Sequence, residues 1–198
     1  KGGSVVTKTE LNLEKIENEI KKDSFLNSKG LGNEVSYYIF DYSPQDELTI
    51  RRYLEKLKKK DKKIRDRYKI VVYDVYDIMI DLLEKEGYLQ DCIDMEKNDG
   101  MDYLIESVND LLRMNDDNNY FAQYIEENTP EKAIVFLAGV GKIYPFVRSH
   151  KILNNLHQIF DRVPVIMFYP GKYDGQSLEL FGEFKDDNYY RAFSLIKE

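Results

Sequence analysis

The fold is decided by one stretch of the sequence, residues 132–191: KAIVFLAGVGKIYPFVRSHKILNNLHQIFDRVPVIMFYPGKYDGQSLELFGEFKDDNYYR. Its first apolar run, Ala133–Ala138, is short and ends on glycines, which is typical of a strand buried on both faces. A second run, Val163–Tyr169, ends on Pro170-Gly171. Between the runs, Ser149 is placed to cap a helix, whose apolar stripe is Ile152, Leu153, Leu156, Ile159 and Phe160. The pattern predicts a right-handed βαβ unit.

The same alternation of strands and helices extends through the rest of the chain. β-branched and aromatic runs predict strands over Val35–Tyr42 and Lys69–Tyr76, and alternating polarity predicts a half-exposed edge strand over Gln176–Phe184. Helical spacing, Ser and Pro starts and glycine stops predict the remaining elements. These are helices over Leu11–Ile20, Pro44–Lys63, Ile78–Lys85, Gly100–Met114, Tyr120–Glu127 and, capped by Asp187-Asn188, Tyr189–Lys197.

Strands that alternate with helices predict an α/β protein. We expect a single-domain, Rossmann-like layered fold, with a mostly parallel sheet of about five strands and helices on both faces. Residues 1–24 are interpreted as an N-terminal helix or arm. Residues 25–198 are interpreted as one α/β domain, with a helical, acidic insertion at about residues 87–130.

The composition and the cysteine content predict a soluble, intracellular globular protein. Of the 198 residues, 42% are apolar, 33% are charged and 16 are Tyr, which argues against disorder. The single cysteine, Cys92, cannot form an intrachain disulfide. No apolar run approaches the ~18 residues of a membrane span, and no signal peptide is apparent.

Charge is distributed unevenly around a net value of −7. Residues 51–69 carry eleven basic and three acidic side chains, whereas residues 74–131 carry seventeen acidic and three basic ones. Such asymmetry can orient a charged partner. The basic segment is a candidate nucleic-acid contact, although a Lys-rich helix end is more often a solvated face. Its candidate residues are Arg51, Arg52, Lys58, Lys59, Lys60 and Lys62.

Chemistry-bearing residues are expected at the carboxyl edge of the sheet, where open α/β sheets bind ligands. Asp41 and either Asp74 or Asp77 would follow strands there, opposite Lys142, Arg148 and His150. These groups suit an ionic or metal-assisted site, but the two aspartates equally suit caps of the following helices. The turn at residues 139–142 lacks the glycine spacing and the Ser or Thr of a phosphate-binding loop. Two histidines without cysteines give little support for zinc, so no metal, cofactor or catalytic residue is predicted.

The two strands of the βαβ unit should deliver their loops to one continuous surface, formed by Gly139–Asn154 and Phe168–Gly175. Tyr and Arg are frequent anchors of protein interfaces, so we predict that this surface binds a partner or ligand. Alternatively, Tyr169 and Arg148 are internal, with Arg148 paired to Asp174 or Asp161 as a clamp. The predicted binding residues, besides the charged groups named above, are Tyr144, Asn154, Tyr169, Tyr173 and Asp174.

Two segments resemble the BrxB family of BREX bacteriophage-resistance systems. The first is GLGNEVSYYIFDYSPQDEL at Gly30–Leu48, and the second is residues 136–193. The second segment carries Gly-Val-Gly, Tyr-Pro-Phe, Arg-Ser-His, Leu-Asn-Asn-Leu, Phe-Tyr-Pro-Gly, Tyr-Asp-Gly and Asn-Tyr-Tyr-Arg in order. Residues 84–131 carry no matching motif.

The resemblance implies a small cytoplasmic component of a multi-protein defence system. Such a system also contains a methyltransferase, a large ATPase and a phosphatase-superfamily protein called PglZ. The resemblance supplies no catalytic residues, which agrees with the lack of an evident active site. We therefore expect a non-enzymatic adaptor that binds other BREX proteins, PglZ foremost, with its oligomeric state left open. The alternative is a nucleotide- or metal-dependent enzyme, or a nucleic-acid-binding subunit.

Overall fold

Five parallel strands form the centre of the molecule in a computed structural model that describes residues 6–26, 37–60, 63–64, 68–116, 119–186 and 191–196. The strands are β1 (Tyr37–Tyr42), β2 (Lys63–Ile64), β3 (Tyr68–Asp74), β4 (Ala133–Ala138), β5 (Val165–Tyr173), β6 (Leu178–Leu180), β7 (Phe184–Lys185) and β8 (Ala192–Ser194). The helices are α1 (Lys8–Glu19), α2 (Asp23–Leu26), α3 (Glu47–Lys60), α4 (Val75–Lys85), α5 (Leu89–Asn98), α6 (Met101–Leu111), α7 (Tyr120–Asn128), α8 (Val140–Ile143) and α9 (Ser149–Ile159). A single 3-10 turn, Pro44–Asp46, precedes α3.

The sheet order is β2-β3-β4-β5-β1-β8. Strands β3, β4, β5, β1 and β8 run parallel, and β2 pairs antiparallel with β3 at one edge. Helices cover both faces. The predicted layered α/β fold with a mostly parallel sheet of about five strands is therefore confirmed.

Strand β4 is apolar at every position because both of its faces are covered. Ala133, Val135 and Leu137 pack into the larger core, under α4–α9. Ile134, Phe136 and Ala138 pack into the smaller core, under α1, α2 and α3. Since neighbouring side chains point to opposite faces of a strand, two covered faces require an uninterrupted apolar run rather than an alternating one.

The connections after β1 and β3 leave the sheet on opposite faces, which opens the carboxyl edge. Helix α3 buries Ile50, Leu54 and Leu57 in the smaller core, whereas α4 buries Ile78 and Met79 in the larger one. A sheet whose connections diverge in this way leaves a crevice outside the carboxyl ends of its strands.

Strand β5 continues past the parallel sheet. Its first six residues pair with β1, and its last three pair antiparallel with β6, starting at Gly171 opposite Leu180. A Cβ atom at Gly171 would lie 2.1 Å from the Glu179 carbonyl oxygen, so glycine is required for this pairing. The β6–β7 hairpin is thereby held at the carboxyl edge.

Three sequence predictions need correction. The predicted C-terminal helix is wrong at Ala192–Ser194, which form β8 along the open edge of β1, although its predicted caps lie outside the described residues. The predicted strand over Gln176–Phe184 is interrupted by a turn at residues 181–183. Helix α5 was not predicted, because only Cys92 of its residues is buried and its apolar spacing is sparse.

Candidate functional site

Asp74 and Lys142 form the charged centre of the carboxyl edge. The Asp74 carboxylate caps α4 by accepting hydrogen bonds from the backbone N–H groups of Tyr76 and Asp77. The Lys142 Nζ atom lies 2.5 Å from Asp74 Oδ2 and 3.2 Å from Asp77 Oδ1. Burial alone would lower the pKa of Lys142, but its contacts with these carboxylates raise it above the ordinary value. Lys142 is therefore held charged and is unsuited to act as a general base.

Gly139 brings the two loops of this centre together. Its φ is +81°, and a Cβ atom at this position would lie 2.2 Å from Asp74 Oδ1. Both the left-handed conformation and the close approach therefore require glycine. The sequence offered two roles for Asp74, a helix cap or a member of an ionic site. Asp74 has both, since the same carboxylate caps α4 and pairs with Lys142.

Asp41 and Asp174 organise the end of β5. The backbone N–H of Tyr173 donates to Asp41 Oδ2 at 3.3 Å, which links β1 to β5 beyond the last paired residues. The Asp174 carboxylate accepts hydrogen bonds from the backbone of Gln176 and Ser177 and from the Ser177 hydroxyl. These bonds lower the pKa of Asp174 to about 2, so the turn carries a fixed negative charge.

Tyr169 and Tyr173 are buried, which corrects their prediction as surface residues. Tyr169 is 0% exposed and Tyr173 is 7% exposed. The Tyr173 hydroxyl donates to the Ala192 carbonyl oxygen at 2.9 Å, and burial raises its pKa to about 12. Burial also raises the pKa of Tyr169. Both rings belong to the larger core, because every second residue of β5 faces it.

An aromatic surface lies beside these buried rings, formed by Tyr144, Arg148, Phe181 and Phe184. The Tyr144 ring packs 5.0 Å from the Phe184 ring and edge-on at 6.3 Å to Phe181. The Arg148 guanidinium lies 5.3 Å from the centre of the Tyr144 ring. Arg148 is exposed, so it does not form the predicted internal clamp. Phe184 remains 39% exposed. Three aromatic rings and one guanidinium group are thus presented together.

A hydrogen-bond network around Asp186 holds the aromatic surface in place. Asp186, at the end of the hairpin, accepts a hydrogen bond from the Ser149 hydroxyl at 2.6 Å and lies 2.5 Å from His150 Nδ1. Its carboxylate also accepts from the His150 backbone N–H at 3.3 Å, at the start of α9. Ser149 therefore does not cap α9 with its own side chain as predicted; a carboxylate distant in sequence occupies the N-terminus, where negative charge is favoured.

The structure brings together only part of the predicted site. Tyr144, Arg148 and His150 are neighbours, and Phe181 connects them to the cleft that contains Asp41 and Asp174. Asn154 is exposed, while its neighbour Asn155 is buried and donates to the Met114 carbonyl oxygen. The sequence reasoning missed Phe181, Phe184 and Asp186. Phe181 and Phe184 lie in the alternating run that was predicted as an edge strand, and Asp186 follows that run. The alternation gave no indication that these residues contact α8 and α9.

The described residues of the carboxyl edge line a larger and a smaller open space. The larger, about 1280 Å³, lies between the start of α1, the end of β1, the end of β5 and β8. Lys8, Lys15 and Lys172 line it opposite Asp41, Asp46 and Asp174. The smaller, about 250 Å³, lies between α3 and Asp74. Among the described residues, His, Cys, Asp and Glu side chains do not gather in groups of three or more suited to a metal ion.

The predicted nucleic-acid residues lie on α3 where they are described. Arg51, Arg52, Lys58 and Lys59 are exposed. Arg51 Nε donates to Glu47 at 2.8 Å and Arg52 Nε to the Leu48 carbonyl oxygen at 3.2 Å, so both arginines are engaged within the helix. The backbone of Lys60 ends α3, and Lys62 lies outside the described residues.

Comparisons with known proteins agree in one assignment. The family model "BREX protein BrxB" matches residues 71–195. A BREX protein BrxB of Bacillus cereus (strain H3081.97) is 47% identical over 187 residues, covering 93% of this chain and 95% of that protein. A BREX protein BrxB of Escherichia coli O9:H4 (strain HS) is 31% identical over 189 residues, covering 96% and 92%. No solved structure matches. Within the described ranges, no helix is long and apolar enough to cross a bilayer. The chain belongs to the BrxB family of BREX antiviral defence proteins.

Proposed function

We propose that the chain is a non-enzymatic, cytoplasmic interaction subunit of a BREX defence complex and that it contacts PglZ through the aromatic surface. Family membership supports a role in defence alongside other BREX proteins. The observation that carries the proposal is the exposure of Phe184 and Arg148 around the Tyr144 ring. Aromatic and Arg side chains that combine area with polar tips dominate the binding energy of protein interfaces.

Rigidity of the aromatic surface supports the same proposal. The hairpin is tied to α9 by Asp186, and Phe181 lies close to Gly141, where a Cβ atom would come within 3.0 Å of its ring. A surface that is already ordered before binding loses little conformational entropy when a partner docks. Asp74 and Asp77 are paired with Lys142, and Asp41 and Asp174 accept hydrogen bonds from the end of β5 and its turn, which leaves these groups structural rather than catalytic in this proposal.

Purified PglZ from the same locus tests the proposal directly. Phe184→Ser and Arg148→Ala should each weaken its binding at least about tenfold in calorimetric titration, because interface anchors of these types contribute the most. The melting temperature should stay nearly unchanged, since both side chains are exposed. Leu48→Ser is the matched control, because Leu48 is 68% exposed on α3 and should have no effect. Undiminished binding by both variants would exclude the aromatic surface.

The competing hypothesis, a small ligand at the carboxyl edge, rests on the 1280 Å³ cleft. It predicts that a nucleotide or divalent cation raises the melting temperature by mass action, and that Asp41→Ala removes the effect. If this result were obtained, and the variants of the aromatic surface bound PglZ with unchanged affinity, the ligand-binding hypothesis would replace the adaptor proposal.

A further inference from the structure

Helices α5 and α6 form a pair that shows apolar side chains to solvent as well as to the core. On the inner side, Cys92, Leu104 and Val108 are buried. Away from the core, Tyr88 is exposed by 37%, Ile93 by 39% and Tyr103 by 52%, and Met101, near the buried side of α6, is exposed by 43%. Exposed apolar residues that cluster on one element, with polar residues around them, mark interaction sites.

The same helix pair carries an uncompensated negative charge. Residues 89–111 include seven Asp or Glu residues and one lysine, all exposed, which is a local charge of −6. In the part of the chain that the structure describes, none of these seven carboxylates is in an ion pair. By contrast, acidic side chains of α1 pair with Lys21 and Lys22 just after that helix, and an acidic side chain of α3 pairs with Arg51. A positively charged partner would relieve the repulsion among the carboxylates and be steered towards them.

We propose that the outer side of the α5–α6 pair is a docking surface for a Lys- and Arg-rich surface of a protein partner. Tyr88, Ile93 and Tyr103 would be its apolar anchors, and the surrounding carboxylates its charged rim. Interfaces of this composition place aromatic residues at the centre and charges at the edge. The like charge of nucleic acids and of anionic lipid headgroups excludes both as occupants.

This docking surface is separate from the aromatic surface. Helix α6 meets the segment before α9 at its other end, where the Asn109 side chain donates to the Phe146 carbonyl oxygen at 2.6 Å. Tyr103 precedes Asn109 by six residues, about 9 Å along the helix axis. The chain thus presents two surfaces of different chemistry, and two surfaces are what a subunit needs to bridge two proteins. The inference goes beyond the proposed function and does not require that PglZ binds the aromatic surface.

The proposal is tested by measuring how the full chain binds three purified proteins of its locus: PglZ, the large ATPase and the methyltransferase. Each binding reaction is measured separately at low and at physiological salt. We expect one of them to bind the α5–α6 pair. Asp91→Asn, Asp94→Asn and Asp102→Asn combined should weaken that binding about tenfold and flatten its salt dependence. Tyr103→Ser should weaken it about tenfold at both salt concentrations. A carbodiimide, which joins carboxylates directly to amines, should link residues 89–111 to lysines of that protein.

Matched variants separate this surface from the rest of the molecule. Glu14→Gln, Glu127→Gln and Glu131→Gln combined remove the same charge from exposed positions elsewhere and should leave the affinity unchanged. Phe184→Ser should leave the salt dependence of binding and the cross-links from the α5–α6 pair unchanged, so that failure of the PglZ proposal and failure of this one give different results. If the triple Asn variant binds each of the three proteins as tightly as the natural sequence does, the inference is overturned. It is also overturned if none of the three proteins binds the chain. Cross-links found only between copies of the chain, to Lys58 or Lys59 on α3, overturn it in favour of self-association.

Discussion

At the carboxyl edge, the identity of a single residue can be required by close packing, as it is in the core. Gly139 is the clearest example. Its left-handed backbone and the proximity of Asp74 both exclude a side chain. Gly175 is a natural comparison, because its φ is +95° and nothing lies within 4 Å of a Cβ atom placed there. The two glycines therefore separate conformational strain from steric overlap.

Gly139→Ala should lower the free energy of unfolding by about 2–4 kcal/mol, since strain adds to displacement of the Asp74 carboxylate from its cap and from Lys142. Gly175→Ala should cost about 1 kcal/mol, the cost of the left-handed conformation alone. Urea denaturation measures both. Equal losses would show that the Asp74 contact contributes nothing.

Asp186 makes the stability of the hairpin pH-dependent. Burial alone would raise the pKa of Asp186, but hydrogen bonds from His150 and Ser149 outweigh burial and lower it to about 2, from an ordinary value of 3.8. A group whose pKa is lower in the folded state stabilises that state above its unfolded pKa and loses the contribution as the pH falls. The difference of nearly two units corresponds to about 2 kcal/mol.

Asp186→Asn should therefore lower the free energy of unfolding by about 2 kcal/mol at pH 7, and the gap to the natural sequence should narrow as the pH falls from 4 towards 2. Urea denaturation at a series of pH values measures the gap. A gap that stays constant down to pH 3 would contradict the assigned network.

At the scale of elements, strand β8 depends on contacts that begin in β5. The Tyr173 hydroxyl reaches the Ala192 carbonyl oxygen, which ties the hairpin strand to the edge strand across β1. Tyr173→Phe removes the donor and leaves a buried acceptor unsatisfied, which should cost about 1–3 kcal/mol. Tyr103→Phe, at a 52% exposed position, should be neutral. Equal melting temperatures for the two variants would show that the bond is not needed.

Long apolar runs made the central elements predictable, and short ones did not. Strands β4 and β5 are covered on both faces, so their apolar runs carry the signal alone. Strand β8 has three residues, of which Ala192 is buried and Phe193 exposed, too short an alternation to outweigh the Asp and Asn before it. Asp186 lies 36 residues from His150, and no local pattern reports such a contact. The sequence therefore predicted that these residues follow strands at the carboxyl edge, but not which of them meet there.

On the scale of the whole molecule, the two charged segments occupy different faces. Helix α3 covers the smaller core with exposed lysines outward, and the α5–α6 pair belongs to the larger core on the other side of the sheet. The nucleic-acid contact predicted for α3 stays a prediction. Phosphate binding by lysines releases counterions, so it must weaken steeply with salt.

Lys58→Gln and Lys59→Gln together should lower the salt concentration that elutes the chain from duplex DNA immobilised on a column, if α3 makes this contact. Lys15→Gln and Lys85→Gln remove the same charge from exposed positions on other helices and should not change elution. Identical elution of both double variants would exclude α3 as the contact.

The continuity of β5 gives the molecule a mechanical property. One uninterrupted segment, Val165–Tyr173, is both the central strand between β4 and β1 and the first strand of the hairpin edge. A pull on the hairpin is therefore transmitted along the axis of the central strand. It loads the hydrogen bonds to both neighbours in shear, all at once, rather than peeling them apart one at a time. A subunit built in this way can bear tension between its partners without first giving way at the point where it is held.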